Sequence, residues 1–486
     1  MKLRSYLLII LSILVFGYIV VHVIVNKKLH RWIDQEENIC VERTKLNLLM
    51  GNLNLKGVKL NNENFTTDTC TIQSIHIKGF SIFDYLVNDE ININSMALQD
   101  AQLHIKNQSK IDASEQEKKA LYVSNISLEN ADLNYAIGKI KIQAHAASAN
   151  LSNVTNANKF EFEDIFLSLK DFSFTPQNGV QLLSETIELN SDEGQIKIDN
   201  FQIEPQCGID EFSTCQPNKK ARISYKVESI IGKLDENPLF SGIYLEELEL
   251  NQGLIEVFSF LEMEPNDKPK LFFMEQFDDL DFPVNIPSIK VKNHAVEVLL
   301  KGDNVDTISF KQIYSTIANV TNLPEILSKN NEIKVSTTSK LMGTKLSVDF
   351  DFKIKDPLNA YGFKLGLEPL PFAKLNKALN YNTNVVIEKG TLQQLDCEVT
   401  GNTLSSNGNC DIVYKDLHII LENKKGKEKK LLTKVLNFIV RDGTGKRGKE
   451  KVKNYERTLE REEDKDYFFQ TYTIILQIIR DAAIPL

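Results

Sequence analysis

The residues best suited to catalysis in this chain are three carboxylates, Asp278, Asp279 and Asp281. Neighbouring carboxylates can act as general acid and base, or they can hold a metal ion. These three precede Pro283 in a polar, proline-bearing stretch, and no His lies near them in the sequence. We therefore interpret them as part of a solvated loop.

A glycine-rich stretch at 443–450 invites comparison with a phosphate-binding loop. That pattern requires Gly-Lys followed by Ser or Thr, whereas Lys449 is followed by Glu450. The seven His residues contain no pair at the helical spacing of a metal site, and no Gly-x-Ser-x-Gly nucleophile motif is present. The sequence therefore predicts that the protein is not an enzyme and needs no metal or cofactor.

Six cysteines fall into three pairs of neighbours in the sequence, and none of the pairs has the Cys-x-x-Cys spacing of a zinc or redox site. We predict three local disulfides, each worth about 2–4 kcal/mol. The alternative is that the thiols are reduced and buried. Disulfides would place the body of the chain in an oxidising compartment. The predicted pairs are Cys40 with Cys70, Cys207 with Cys215, and Cys397 with Cys410.

Residues 5–26 carry no charged side chain. The segment is long enough for a helix to span the apolar core of a bilayer. A cleaved signal peptide would have a shorter apolar region and a small-x-small cleavage site, but here the run ends in Asn26-Lys27-Lys28. We predict an uncleaved, single-pass anchor with everything after residue 28 outside the cytoplasm. The net charge of -9 argues against a nucleic-acid partner.

The elements that must position any site are β-strands, because apolar and polar residues alternate through most of the chain after residue 41. The unit at 96–105 shows the pattern, with apolar residues on both sides of Asp100-Ala101. We interpret it as a two-residue hairpin in which Leu98 lies opposite Leu103. Ala101 fits such a turn poorly, so a bent strand with a bulge is the alternative.

The same unit begins again at residues 126, 248 and 289, and a looser copy spans 187–198, so the copies follow no fixed period. Each copy has one apolar face that it cannot bury alone, so we expect the copies to stack edge to edge. The residues predicted to share this apolar face are Met96, Leu98, Leu103, Ile105, Ile126, Leu128, Leu133, Leu248, Leu250, Ile255, Val257, Ile289, Val291 and Val296.

The chain divides, by these patterns, into an anchor at 1–28, a β-region at 29–270, a second β-region with basic loops at 271–465 and a helix at 466–486. In the helix, Phe468, Tyr472, Ile475 and Ile479 share one face. The helix could cover the open end of a sheet or dock on a partner. The basic stretch 424–453 could contact anionic lipid headgroups or an acidic partner, or it could be two solvated loops.

An N-terminal anchor followed by hundreds of residues of Ile-x-Leu-x-x-Ala-x-Leu units resembles the AsmA-like proteins of Gram-negative envelopes. The stretches 387–392 and 408–419 and the tail from Asn437 through Phe469 are similar to Bacteroidetes members of that family. The six cysteines and the Asn-rich, Lys-rich composition depart from it.

The resemblance implies a mainly β protein: a long, twisted, antiparallel sheet that forms a groove, anchored in the inner membrane with its bulk in the periplasm. It also implies a role in moving phospholipid toward the outer membrane. Other envelope proteins would bind through the C-terminal helix or the basic loops. A concave apolar face can shelter acyl chains while headgroups stay in water. A closed β-sandwich serving as an envelope scaffold has the same alternation and is the alternative.

Overall fold

The structure is a computed structural model of the 486-residue chain. It describes residues 27, 39–61, 69–81, 84–88, 90–105, 120–137, 140–156, 160–177, 179–215, 221–235, 242–260, 271–301, 305–376, 385–421, 430, 433, 443–444, 451–462 and 467–483.

The chain is mainly β, as predicted, and the described residues form twenty strands whose pairing is mostly antiparallel. Most strands alternate side chains between the two faces of the sheet. The strands are β1 (Ile39–Asn47), β2 (Asn52–Asn61), β3 (Thr69–Lys78), β4 (Glu90–Ile105), β5 (Ala120–Ile137), β6 (Ile140–Thr155), β7 (Ile165–Thr175), β8 (Val180–Asn190), β9 (Gln195–Pro205), β10 (Ala221–Leu234), β11 (Ile243–Phe260), β12 (Val284–Lys301), β13 (Val305–Thr321), β14 (Glu332–Leu341), β15 (Thr344–Lys353), β16 (Tyr361–Leu367), β17 (Leu370–Pro371), β18 (Val385–Gly401), β19 (Ser405–Leu421) and β20 (Lys453–Glu460).

The helices of the described residues are short, except for Tyr467–Ala483. No helix within the described ranges is both long enough and apolar enough to cross a membrane, and the anchor predicted at 5–26 lies outside those ranges. The helices are α1 (Phe212–Cys215), α2 (Phe273–Asp278), α3 (Pro324–Leu327) and α4 (Tyr467–Ala483), with a π-helical turn at Asp84–Asn88 and a 3-10 turn at Phe372–Leu375.

Contacts divide the chain into two compact units, Met1–Phe201 and Gln202–Leu486. In unit 1, β1 to β4 are antiparallel neighbours, β4 and β5 are parallel, and β5 to β8 are antiparallel again. Unit 2 repeats this plan, because β10 and β11 are antiparallel, β11 and β12 are parallel, and β12 to β16 are antiparallel. The boundaries predicted at residues 28, 270 and 465 remain predictions.

In the copies that begin at 96, 126, 248 and 289 the repeated unit is a kinked strand, so the hairpin interpretation is wrong there and the bent-strand alternative is right. The looser copy is two strands joined by a turn, as predicted, because β8 ends at Asn190 and β9 begins at Gln195. Residues 96–105 belong to one strand, β4, in which Asp100 has a left-handed φ of 50°. Asn130, Gln252 and Asn293 have φ values of 54°, 56° and 53° in β5, β11 and β12. Leu98 therefore lies beside Leu128 of the parallel neighbour and not opposite Leu103.

Each kink changes which residues face the apolar side. In an unbroken strand, Ala101 would face the side opposite to Leu98, because the two are three residues apart. Ala101 is instead buried on the apolar side, and the alternation continues from it to Leu103. The side-chain amide of Asn130 donates a 2.6 Å hydrogen bond from Nδ2 to Oδ1 of Asp100, so the kinks of β4 and β5 are joined across the strands. Asp and Asn adopt left-handed backbone conformations more readily than most residues, which explains their recurrence at the kinks.

Helix α4 packs on the apolar side of β18, β19 and β20, which confirms a C-terminal helix that covers part of the sheet. Its buried face is not the predicted one. Ile474 and Ile478 insert into the core, whereas Phe468 and Tyr472 are 55% and 59% exposed. The predicted face joined the aromatic residues with Ile475 and Ile479, which pack against the core only in part, whereas the most deeply buried residues lie one position earlier, at Ile474 and Ile478.

Two of the three predicted disulfides are present, Cys207–Cys215 and Cys397–Cys410. The third is absent, because Cys40 and Cys70 are free thiols. Cys40 pairs with Lys59, whereas Cys70 pairs with the next residue, Leu60. Consecutive residues of a strand point to opposite faces, so the strand register separates the two thiols.

Candidate functional site

The apolar face of unit 1 is built from residues that align from strand to strand. Met96 of β4 pairs with Ile77 of β3 and Ile126 of β5, and Ile126 pairs in turn with Leu151 of β6. A second row, next to the first, runs from Ile75 through Leu98, Leu128 and Ala149 to Leu167. The register therefore brings together the predicted residues Met96, Leu98, Leu103, Ile126, Leu128 and Leu133 of β4 and β5, and it pairs Ile105 with Tyr135 along the backbone.

In unit 2 a longer apolar row crosses eight strands, and we call it the long row. Its members pair one with the next, from the parallel β11–β12 step to β19. They are Leu248, Ile289, Ile317, Val335, Phe350, Phe363, Val399 and Gly408. The other predicted residues of unit 2 flank this row, with Leu250 beside Val291, Ile255 beside Val296, and Val257 beside Val298.

The burial of the long row changes along its length. Leu248, Ile289, Ile317, Val335 and Phe350 are all half-buried. Phe363 and Val399 are 7% and 0% exposed, because they lie in the core beneath α4. The apolar face of unit 2 is thus closed at its β16–β19 end and retains solvent-accessible apolar surface over β11–β15.

Gly408 marks the closed end of the long row. A β-carbon on Gly408 would lie 2.1 Å from Cγ2 of Ile474, so α4 rests on the backbone of β19 at this point. The edge of the covered part is aromatic, since the rings of Phe350 and Phe468 are 5.4 Å apart. Phe468 is therefore positioned where covered and accessible apolar surface meet.

The predicted apolar residues with a described side chain are half-buried without exception: Met96, Leu98, Leu103, Ile126, Leu128, Leu133, Leu248, Leu250, Ile255, Val257, Ile289, Val291 and Val296. The residue that follows each kink is fully buried, namely Ala101, Ala131, Gly253 and His294. The surface available to a ligand is thus formed by the larger side chains on either side of the kinks.

His294 is a polar residue on this apolar face that the sequence interpretation assigned to a hairpin turn. It is 5% exposed, and its imidazole occupies the space above Gly253, where a β-carbon would lie 2.2 Å from the ring. Tyr225 of β10 lies on the far side of Gly253, and its hydroxyl is 3.0 Å from Nε2 of His294. The tyrosine and histidine rings are stacked with centroids 6.0 Å apart.

Both members of this pair are uncharged near neutral pH. Burial lowers the pKa of His294 below its ordinary value of 6.5, and burial raises the pKa of Tyr225 to about 12. Nδ1 of His294 lies 3.2 Å from the carbonyl oxygen of Lys292, which fixes the proton on Nδ1. Nε2 then accepts the hydrogen of the Tyr225 hydroxyl.

A second polar pair lies on the same face, on the next two strands, β13 and β14. Ser315 of β13 and Thr337 of β14 are register partners, and their hydroxyl oxygens are 2.8 Å apart. Ser315 also pairs with Val291 of β12, which places it on the apolar side of the sheet. Neither Tyr225, Ser315 nor Thr337 was identified from the sequence.

The three carboxylates considered in the sequence analysis have different surroundings. Oδ2 of Asp278 accepts a 3.2 Å hydrogen bond from the backbone N–H of Lys355, and burial raises the pKa of Asp278. Asp279 and Asp281 are exposed. Within the described ranges no group of three or more His, Cys, Asp or Glu side chains is placed to hold a metal ion.

The glycine-rich stretch is described at two residues, Gly443 and Thr444. Thr444 is buried, and its backbone N–H donates a 3.1 Å hydrogen bond to the carbonyl oxygen of Tyr414. Most of the basic stretch at 424–453 lies outside the described ranges, so its predicted contact with headgroups or an acidic partner stays a prediction.

No known protein family, curated protein or solved structure matches this chain.

Proposed function

We propose that this protein shelters the acyl chains of phospholipid on the apolar face of its sheet, as a membrane-anchored, AsmA-like protein of a Gram-negative envelope. In this proposal the anchor at 5–26 holds the chain in the inner membrane, the β-units lie in the periplasm, and the lipid moves toward, or maintains, the outer membrane. The lipid is held without covalent chemistry.

The observation that carries the proposal is the long row of unit 2. Five of its residues in succession, from Leu248 to Phe350, are half-buried, large or branched, and apolar. Covering such surface stabilises a complex by about 25 cal/mol for each Å² removed from water, or about 0.8 kcal/mol for each buried methylene group. An acyl chain laid over this surface would gain this energy without displacing any part of the fold.

The polar side of the same strands supports an aqueous location for headgroups. Lys292 and Glu249 form an ion pair of 2.7 Å, and Lys364 and Glu398 form one of 3.0 Å. These side chains alternate with the apolar ones along β11, β12, β16 and β18. One face therefore suits water and the other suits hydrocarbon.

The second candidate is a non-catalytic scaffold for assembly of the outer membrane, and the core beneath α4 favours it. That core includes Leu395, Val399, Ile412 and Ile474, all at most 4% exposed. A scaffold would need no accessible apolar face, and the half-buried residues would then be covered by a partner protein.

Photocrosslinking in intact cells distinguishes the two candidates. A photoreactive amino acid would replace Leu250 on the accessible apolar face, Asn251 on the opposite face, or Val399 beneath α4. Lipid transfer predicts a phospholipid adduct, identified by mass spectrometry, at position 250 and none at positions 251 and 399. Adducts at 250 that contain protein and no lipid would support the scaffold.

A charge on the same face gives an independent test. Leu250→Glu should remove the bound lipid while changing the melting temperature little, because the carboxylate of a half-buried residue can reach water. Val399→Glu buries a carboxylate without a partner and should cost several kcal/mol. Asn251→Glu, on the polar face, controls for the added charge. Unfolding of the Leu250 variant to the extent of the Val399 variant would mean that the face is a closed core.

A further inference from the structure

Four hydrogen-bonding side chains form a diagonal line across the apolar face of unit 2, and we call them the hydroxyl track: Tyr225, His294, Ser315 and Thr337. Val296 and Ile255, which flank the track, are apolar. His294 is the register partner of Ile313, and Ser315 lies two residues further along β13. Such diagonal neighbours are about 7–8 Å apart, so one small ligand group can lie between the two polar pairs.

The track can both accept and donate one more hydrogen bond. The Tyr225 hydroxyl donates its hydrogen to Nε2 of His294, which leaves lone pairs on the tyrosine oxygen. Of the Ser315 and Thr337 hydroxyls, one donates to the other, and the second keeps a hydrogen to give. A ligand hydroxyl has the matching pair of functions, since it too is one donor and one acceptor.

Charge does not contribute at the track. Its four side chains are a neutral imidazole, a phenol and two aliphatic hydroxyls, none of which attracts a phosphate or carboxylate by charge. Two cations of β12 itself, Lys290 and Lys292, pair with Glu247 and Glu249 on the opposite face. The track therefore suits an uncharged oxygen.

Unit 1 supplies an internal comparison. The residues that follow the kinks of β4 and β5 are Ala101 and Ala131, which correspond in position to Gly253 and His294 of β11 and β12. Alanine at both positions leaves an apolar surface. The hydrogen-bonding pair is thus a feature of unit 2, made possible by the missing side chain at Gly253.

Resting on the proposed function, we infer that the hydroxyl track of unit 2 binds an uncharged hydroxyl group carried on the acyl chain of the lipid. The group must be on the chain and not on the headgroup, because His294 lies near the middle of β12, roughly 20 Å from the strand end where a headgroup would meet water. The track would select hydroxylated chains over unsubstituted ones.

Competition between two matched fatty acids tests this inference on the full chain, kept soluble in an amphipathic polymer without detergent. A photoreactive fatty acid is crosslinked to the protein in the presence of either 12-hydroxystearate or stearate. We expect 12-hydroxystearate to compete about three- to tenfold more strongly, the value of one or two net hydrogen bonds. Tyr225→Phe and Ser315→Ala should each reduce this preference.

Tyr314→Phe is the matched control, because Tyr314 is 50% exposed and pairs with Thr338 on the opposite face of the sheet. It should leave the preference unchanged. Equal competition by the two acids in the wild type, or a preference that survives both track variants, would overturn the inference while the apolar face remains a lipid site. If the photoreactive acid itself does not crosslink above the level of denatured protein, the proposed function fails as well.

Discussion

Ile474 of helix α4 rests directly on Gly408 of β19, at a separation that leaves no room for a β-carbon. The same position is within 3.5 Å of Ile478 and 3.4 Å of Val399, so the glycine is enclosed by the core on the apolar side of the sheet. The contact fixes where the helix lies along the strand. It also determines how far the covered part of the long row extends.

Gly408→Ala should loosen α4 from the sheet. The new methyl group meets the Cγ2 methyl group of Ile474, which cannot move away without disturbing its neighbours, and overpacking of this kind costs about 1–3 kcal/mol. We expect faster hydrogen exchange of the backbone amides in Tyr467–Ala483. Gly208→Ala is the control, because no atom lies within 4 Å of its new β-carbon. Unchanged exchange in the Gly408 variant would show that the helix is held elsewhere.

The cysteines should differ in reactivity under native conditions. Cys40 is exposed, so alkylation should modify it quickly. Cys70 is half-buried, and burial raises the pKa of its thiol, so less reactive thiolate is present and alkylation should be slower. Cys207, Cys215, Cys397 and Cys410 should react after reduction. Mass spectrometry of the alkylated peptides measures this order, and a peptide joining Cys40 to Cys70 would contradict it.

Loss of the Cys397–Cys410 disulfide should weaken the strand pair that supports α4. The two residues are directly opposite each other on β18 and β19, and both are buried in the core. Replacing both with Ala should cost about 2–4 kcal/mol, in the range of native disulfides. Urea denaturation measures the cost, and Cys40→Ala, at an exposed free thiol, is the control.

The strand pattern, the residues of the apolar face and two disulfides could be predicted from the sequence because each follows from local alternation or spacing. The pairing partners could not. Leu98 has an apolar residue at Leu103 in its own strand and another at Leu128 in the next copy, and alternation alone does not choose between them. The prediction that Cys40 and Cys70 are joined rested on their being neighbouring cysteines in the sequence, which does not fix the strand register that separates them.

His294 shows what signal was available and missed. Counting back by twos from Val298 and Val296 reaches His294, so the second half of the strand already places it on the apolar face. The same count from Leu103 reaches Ala101, and from Ile255 it reaches Gly253. The left-handed residue shifts the alternation of side chains by one residue. The apolar residues before and after the kink therefore face the same side of the sheet.

The left-handed position of a kink should be intolerant of a β-branched residue. Gln252 has a φ of 56°, and Val is strongly disfavoured in this region, so Gln252→Val should destabilise unit 2 by about 1–2 kcal/mol. Asn251→Val is the matched control, since it lies one residue earlier in ordinary extended backbone, where Val is a good strand former. Urea denaturation of the two variants gives the difference, and equal stabilities would mean that the backbone is not kinked at residue 252.

Protonation of His294 should make the stability of unit 2 depend on pH. Burial lowers the pKa of His294 in the folded state below 6.5, so in acid the unfolded chain binds a proton that the folded chain does not. The stabilisation from the neutral imidazole is therefore fully present above about pH 6.5 and is lost as the pH falls toward the lower folded pKa. Tyr225 is the titratable group that contacts the ring, and it is neutral throughout this range because burial raises its pKa to about 12.

His294→Gln removes this titration and should flatten the dependence of stability on pH between about pH 5 and pH 7. His145→Gln is the matched control, because that side chain is 62% exposed and its partner, Asp132, is 49% exposed. Chemical denaturation at each pH gives the slope for the wild type and both variants. A slope that is unchanged by His294→Gln, or that is flattened equally by the control, would show that the buried imidazole does not exchange its proton on unfolding.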